Sequence, residues 1–197
     1  MIPLSQASLT KAEWRDILLT RRSQITLVDR ERAARNAAEF IYVSTLFQQA
    51  LNIACYYPLS HEFDCLPMIE LIQTVRKNCY LPVLSQTDQK SLDFILYQKD
   101  TILRHNRYHI PEPESGKKIA PDQLDLVLLP LLGFDRQGNR LGMGAGYYDR
   151  TFETHEKMKK PVLLGLAYEA QCVSSLPHDS WDVVLDGVVT ENGIVFF

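Results

Sequence analysis

Leu126-Val-Leu-Leu-Pro130 and, five residues on, Asp135-Arg-Gln-Gly-Asn-Arg-Leu-Gly-Met-Gly-Ala-Gly-Tyr-Tyr-Asp-Arg150 decide how this chain folds. The apolar run predicts a buried strand over 124–129, which delivers a glycine-rich loop. A helix is expected to begin near Tyr147, with Tyr148 and Asp149 in its first turn. Gly142, Gly144 and Gly146 alternate with other residues, and glycine lets a ligand approach the backbone closely. Successive N–H groups in such a loop converge on anions, and a helix N-terminus adds its own. Arg140 and Arg150 flank the loop with fork-shaped donors suited to phosphate oxygens. Asp149 offers a hard oxygen of the kind Mg²⁺ takes beside phosphates, and Tyr147 and Tyr148 offer flat faces with polar tips. The combination reads as a nucleotide-phosphate site. It is neither the P-loop pattern nor the G-x-G-x-x-G of dinucleotide folds. A glycine-rich turn between strand and helix also arises without a ligand. The two arginines and the Tyr-Tyr-Asp-Arg tail favour the functional reading.

Upstream, Thr10-Lys-Ala-Glu13 fits a capping box and predicts a helix over 11–23, with Trp14, Ile17 and Leu18 on its apolar side. Lys11 and Arg15 lie one turn apart on one face. A solvated basic face is the plainer reading, and they serve phosphate only if this helix folds over the loop. A second helix is expected over 27–48. Asn52-Ile-Ala-Cys-Tyr-Tyr57 reads as a strand ended by Pro58. Glu62 and Asp64 follow in a loop at that strand's C-terminal end, the edge where open α/β sheets bind ligands. Pro67 opens a helix over 68–77. Further strands are expected at 80–84, 92–97, 162–168 and 194–197, with short extended pieces at 182–186 and 188–190. Residues 110–118 read as a surface loop. Strands alternating with helices predict a three-layer α/β/α fold with a largely parallel central sheet, Rossmann-like.

At 197 residues, 46% hydrophobic and 23% charged, the chain is that of an ordinary soluble protein, expected as a single domain over 1–197. A net charge of −3 argues against general nucleic-acid or anionic-membrane binding. No apolar run reaches the ~20 residues of a membrane helix. Met1-Ile-Pro-Leu-Ser5 does not read as a secretory signal. Cys55, Cys65, Cys79 and Cys172 are scattered and read as reduced packing residues, which suits the cytoplasm. The five histidines show no metal-ligand spacing.

The string from Phe134 to Arg150 resembles the signature of the 5-formyltetrahydrofolate cyclo-ligase family, also called 5,10-methenyltetrahydrofolate synthetases. The resemblance extends through Lys11…Arg15, Tyr56-Tyr57-Pro58…Glu62-Phe-Asp64, Ile110-Pro-Glu-Pro113, Gly165-Leu-Ala-Tyr168 and Trp181-Asp182…Glu191. It implies ATP-dependent closure of 5-formyltetrahydrofolate to 5,10-methenyltetrahydrofolate, with ADP and phosphate released and Mg²⁺ required. Lys11, Arg15 and the run Arg140-Leu141-Gly142-Met143-Gly144-Ala145-Gly146-Tyr147-Tyr148 would then hold ATP. Arg140 and Arg150 would offset charge on the transferring phosphoryl group, and Asp149 and Asp182 would be the metal-linked aspartates. Glu62, Tyr56, Tyr57 and Tyr148 would border the folate. Many members carry a basic residue between the first two glycines and some between the second and third; here these positions are Met143 and Ala145. The implied partners are small molecules only, acting on a cytoplasmic monomer. Two other readings stay open at this stage: an α/β enzyme of the sugar-phosphate isomerase type, and a non-catalytic folate- or nucleotide-binding protein.

Overall fold

The computed structural model describes residues 9–154 and 160–197. Helix α1 spans Lys11–Ser23, and its capping box is formed: the Thr10 hydroxyl accepts from Glu13 N and the Glu13 carboxylate accepts from Thr10 N. The helix expected over 27–48 is two helices, α2 (Leu27–Val43) and α3 (Thr45–Gln49). Ser44 breaks them by adopting an extended backbone, and its hydroxyl caps Phe47 N. Helix α4 covers Leu66–Thr74, starting just before Pro67, and α5 is a single short stretch, Tyr147–Thr151.

The main sheet contains β1 (Asn52–Ala54), β2 (Asn78–Leu84), β3 (Leu92–Leu96), β6 (Lys118–Ile119), β7 (Leu126–Pro130), β10 (Val162–Leu166), β11 (Gly187–Thr190) and β12 (Gly193–Phe196). Their spatial order is β12-β11-β10-β7-β1-β2-β3-β6. The five central strands are parallel, and β12, β3 and β6 add antiparallel edges. Taken in chain order, the parallel strands follow the doubly wound order 2-1-3-4-5, whose reversal lies between β1 and β7. Two hairpins stand outside this sheet: β4 (Leu103–His105) with β5 (Pro111–Pro113), and β8 (Gly133–Phe134) with β9 (Arg140–Leu141). The sequence reading placed a surface loop where β5 lies, and it missed the β8–β9 hairpin.

Side chains alternate across the sheet, as the two-residue period of a strand demands. Ile53, Leu126, Leu128, Leu164 and Leu166 pack on one face against Ala33, Ala37 and Ile41 of α2, Phe47 of α3 and Met68 and Ile72 of α4. Ala54, Val127, Leu129, Leu163 and Val188 pack on the other, under Phe134, Phe152, Val183 and Leu185. The layers are therefore uneven: helices cover one face, while α5 and loops cover the second. Helix α1 belongs to neither. Trp14 and Leu18 pack with Leu132, Leu141, Val173 and Leu176, which lays α1 across the C-terminal end of β7. Of the short extended pieces expected at 182–186 and 188–190, the second lies in β11, while 182–186 is irregular backbone leading into it and joins no strand. Residues 1–5 lie outside the described residues.

Candidate active site

The point of strand reversal is where an open α/β sheet leaves a crevice. The segments after β1 and β7 carry the tyrosine–glutamate loop and the glycine-rich loop, so the topology alone brings these two stretches together. A cleft of about 730 Å³ lies there. Its wall includes every residue singled out from the sequence for a site role: Lys11 and Arg15; Tyr56, Tyr57 and Glu62; the whole run from Arg140 to Arg150; and Asp182. Asp64, in the same loop, turns back instead and accepts from Leu66 N.

The glycine-rich loop is presented by the β8–β9 hairpin, not by β7 directly. Asp135, fully buried, ties the hairpin turn: its carboxylate accepts from Gln137 N, Asn139 N, Asn139 Nδ2 and Leu176 N. Beyond Leu141 the loop runs exposed from Met143 to Ala145. Gly144 sits at φ +98° and Gly146 at φ +69°, backbone conformations that L side chains rarely adopt. Carbonyl groups on this loop are taken by arginines. Arg15 Nε donates to Gly142 O at 3.0 Å, and Arg150 Nη2 donates to Ala145 O at 2.7 Å. Among the described residues no backbone N–H from Met143 to Asp149 has a protein partner. A row of unpaired donors opening a helix is what an oxyanion cradle requires.

Arg140 is buried beside the loop. Its Nη2 donates to Asp149 Oδ1 at 2.6 Å, its guanidinium lies 5.8 Å from the Tyr148 ring centroid, and its Nε has no partner. Asp149 Oδ1 also accepts from Val183 N, so the Asp182 segment is bonded directly to the loop helix. Lys11 Nζ bridges Asp179 and Asp182, and Asp182 Oδ2 further accepts from Asp179 N. Burial alone would lower the Lys11 pKa; the hydrogen bonds and charges of the two aspartates outweigh it and hold the ammonium form. Asp149 Oδ2 and Asp182 Oδ1 stay outside these bonds. Among the described residues no three His, Cys, Asp or Glu side chains gather as a metal cage. Two carboxylates next to a phosphate cradle nevertheless suit Mg²⁺, which takes one or two carboxylates and completes its shell with phosphate oxygens and water.

Arg150 differs from the sequence expectation in its present bonds. It is exposed, spends Nε on Lys90 O and Nη2 on Ala145 O, and lies across the Tyr147 ring. It braces the loop against the segment before β3.

The other side of the cleft is apolar and acidic. The Tyr56 hydroxyl donates to Phe63 O at 2.7 Å and so closes the loop that carries Glu62. Glu62 accepts from Leu59 N. Burial raises its pKa, and the Leu59 N–H and the Arg22 charge work against that rise. Burial, reinforced by the Glu62 charge, pushes the Tyr148 hydroxyl well up, so it is a donor at neutral pH. Sequence reasoning missed several wall residues: Arg22, Trp181, and Asn106, Tyr108 and Glu112 of the β4–β5 hairpin region. The Tyr108 ring meets Tyr147 edge-on, with the hydroxyls 3.0 Å apart. A signal existed for Arg22, which repeats Arg15 at i+7 on the face of α1 that Lys11 and Arg15 share.

Comparison with known proteins places the chain in a family. Residues 7–191 match the model of the 5-formyltetrahydrofolate cyclo-ligase family. The chain is similar to the 5-formyltetrahydrofolate cyclo-ligase of Haemophilus influenzae, 36% identical over 166 residues, which covers 83% of this chain and 88% of that protein. The Escherichia coli protein of the same name is 34% identical over 177 residues, covering 88% and 96%. The solution structure of Aquifex aeolicus 5,10-methenyltetrahydrofolate synthetase superposes with a TM-score of 0.81 at 28% identity, covering 95% of this chain and 93% of that one. The chain belongs to the 5-formyltetrahydrofolate cyclo-ligase family.

Proposed function

We propose that this protein closes 5-formyltetrahydrofolate to 5,10-methenyltetrahydrofolate at the expense of ATP, as a C–N ligase releasing ADP and phosphate. The observation that carries the reading is the make-up of the single cleft at the strand reversal. One wall is a loop of unpaired N–H donors flanked by Lys11, Arg15 and Arg140; the other is aromatic and apolar around the half-buried Glu62. A triphosphate fits the first, and a folate ring the second.

The N5-formyl group is amide-like and a poor electrophile. Transfer of the γ-phosphoryl group to the formyl oxygen gives an iminium phosphate. N10 then attacks that carbon, its proton is lost, and phosphate departs with the former formyl oxygen. Such transfer needs positioning and charge neutralisation more than covalent help from the protein. The loop N–H groups would cradle the phosphates, with Lys11, Arg15 and Arg140 over their oxygens. Met143 and Ala145 add no charge, so the cationic work falls on those three and on Arg150, which lines the same cleft. Lys11 would exchange its bonds to Asp179 and Asp182 for phosphate, freeing both carboxylates. Asp149 and Asp182 would hold Mg²⁺, which offsets phosphate charge when bound. Glu62 would accept from folate N–H groups, and Tyr148 and Tyr57 would border the ring. No helix among the described residues is long and apolar enough to cross a membrane, and all four cysteines are free thiols. The proposal is of a monomeric cytoplasmic enzyme acting on small molecules.

The test is incubation of the purified protein with 5-formyltetrahydrofolate and Mg-ATP, following the methenyl chromophore. Product that requires both ATP and Mg²⁺ is expected. Binding of folate or ATP with no turnover would indicate a non-catalytic binder. Turnover of a sugar phosphate in its place would indicate an isomerase.

A further inference from the structure

One charged side chain on the cleft wall has no part in the reaction as derived. Arg22, in the last turn of α1, is only 4% exposed. Its Nε has no partner, and its one hydrogen bond among the described residues runs from Nη1 to Leu131 O at 3.5 Å. It makes no ion pair there. A cation removed from water and left so poorly bonded is costly unless something else completes it. The carboxylate whose charge acts on it most strongly is Glu62, which lines the same cleft yet stops short of a salt bridge. Arg30 fixes this arrangement: its Nη2 donates to Arg22 O at 3.1 Å and its Nη1 to Ser60 O at 2.9 Å. The end of α1 and the Glu62 loop are thus held by one guanidinium.

A separated guanidinium and carboxylate facing one cavity suit a planar ligand edge that carries donors and an acceptor side by side. The pterin ring of a folate has such an edge: the 2-amino group and N3–H are donors, and the adjacent 4-carbonyl is an acceptor. We infer that Arg22 is a specificity residue of this enzyme, donating to the pterin 4-carbonyl while Glu62 accepts from N3–H and the 2-amino group. The inference rests on the folate reading of the cleft given above. With the ring in place, the Arg22 guanidinium gains an acceptor and Glu62 gains charge-assisted bonds, so the buried cation and the half-buried carboxylate are both satisfied by the ligand. A ring bearing an amine at that carbon presents a donor to a cation and should be rejected.

The experiment compares 5-formyltetrahydrofolate with its 4-amino counterpart, the 2,4-diamino ring carrying the same 5-formyl group. Each is titrated calorimetrically into the parent, Arg22→Met and Arg22→Lys, with the fold checked by circular dichroism. The KM values for folate and for ATP are measured alongside. The parent is expected to prefer the 4-oxo ring by at least ~10-fold, the scale of a charged hydrogen bond lost. Arg22→Met should lower that preference at least about threefold, the remainder being Glu62 at N3, which carries no hydrogen in the 4-amino ring, and raise the folate KM, with the ATP KM unchanged. Arg22→Lys, which keeps the buried charge, should fall between. A parent that does not distinguish the two rings overturns the inference even if no variant folds. So does a folded variant that keeps the parent's preference. A parent that cyclises 5-formyltetrahydrofolate but shows no ring preference leaves the proposed function standing; a parent that cannot cyclise it removes both.

Discussion

Gly144→Val tests the glycine-rich loop at a position of positive φ on its exposed tip. Gly144 lies at φ +98°, and a Cβ placed there would stand 3.2 Å from Arg15 Nη2 and 3.3 Å from Arg15 Cζ. Valine can respond in two ways. It can keep the native dihedral, which costs on the order of 1–3 kcal/mol for a residue outside its allowed regions. Otherwise the loop can relax to φ < 0, which displaces the Arg15 guanidinium from Gly142 O and re-aims the neighbouring N–H groups. In either case the binding-competent loop is depopulated by about the strain energy. At about 1.4 kcal/mol per factor of ten, ATP affinity should fall roughly 5- to 150-fold. Global stability should change little, because the loop tip is exposed and buries no apolar surface. Gly142→Ala is the control. Gly142 does not have a positive φ, and a Cβ there would meet Arg140 Nη1 at 3.4 Å, an ordinary contact. Its affinity should stay within about threefold of the parent, inside the small effect expected where no special dihedral is disturbed. The assay is calorimetric titration of Mg-ATP into each variant after a thermal melt has shown it folded. A folded Gly144→Val protein with the parent's ATP affinity would refute the assignment of this loop to phosphate.

Glu62→Gln should raise the folate KM far more than the ATP KM, because a half-buried carboxylate facing ring N–H groups loses its charge-assisted bonds; unchanged folate kinetics would remove Glu62 from the site. The same variant tests pH dependence. Burial raises the folded pKa of Glu62 above its ordinary value of 4.5, so its contribution to stability is fully present below 4.5 and is lost as pH rises through the folded pKa. The glutamine variant should therefore gain in melting temperature relative to the parent across that window, and parallel curves would contradict the burial. Arg140→Ala should weaken ATP binding by roughly 1.5–3 kcal/mol, the range for hydrogen bonds to charged groups, with Arg140→Lys recovering only part; equal affinities would pass the cationic role to Lys11 and Arg15.

The parts of this protein that sequence reasoning reached are those where local chemistry and tertiary packing agree. Helix α1 was legible to its ends because Thr10 and Glu13 spell out the cap that the folded chain uses. The central strands were legible because a strand buried on both faces is continuously apolar, as at Leu126–Pro130. The break at Ser44 was not, since apolar residues continue on either side and the cap is written only in one hydroxyl. The β8–β9 hairpin escaped because its two-residue strands are too short for any period, and it is held by Asp135 through bonds that include distant Leu176. At the candidate site, the loop was read from its residue types, Glu62 from its place after a strand, and Asp182 from the resemblance alone; one cleft gathers all three. Asp182 also holds a local turn, accepting from Asp179 N. Arg22 was hidden by its position. A basic residue in the last turn of a helix satisfies the dipole at the surface, and only the packing of α1 across the sheet edge turns it inward.

The central claim is that the cleft brings the folate formyl oxygen against the γ-phosphate of ATP. Its most direct test is turnover of 5-formyltetrahydrofolate carrying ¹⁸O in the formyl group, with Mg-ATP and the purified protein, followed by mass analysis of the phosphate released. The account predicts methenyl product, ADP and phosphate in equal amounts, with one ¹⁸O in each phosphate. Methenyl product accompanied by unlabelled phosphate would contradict it.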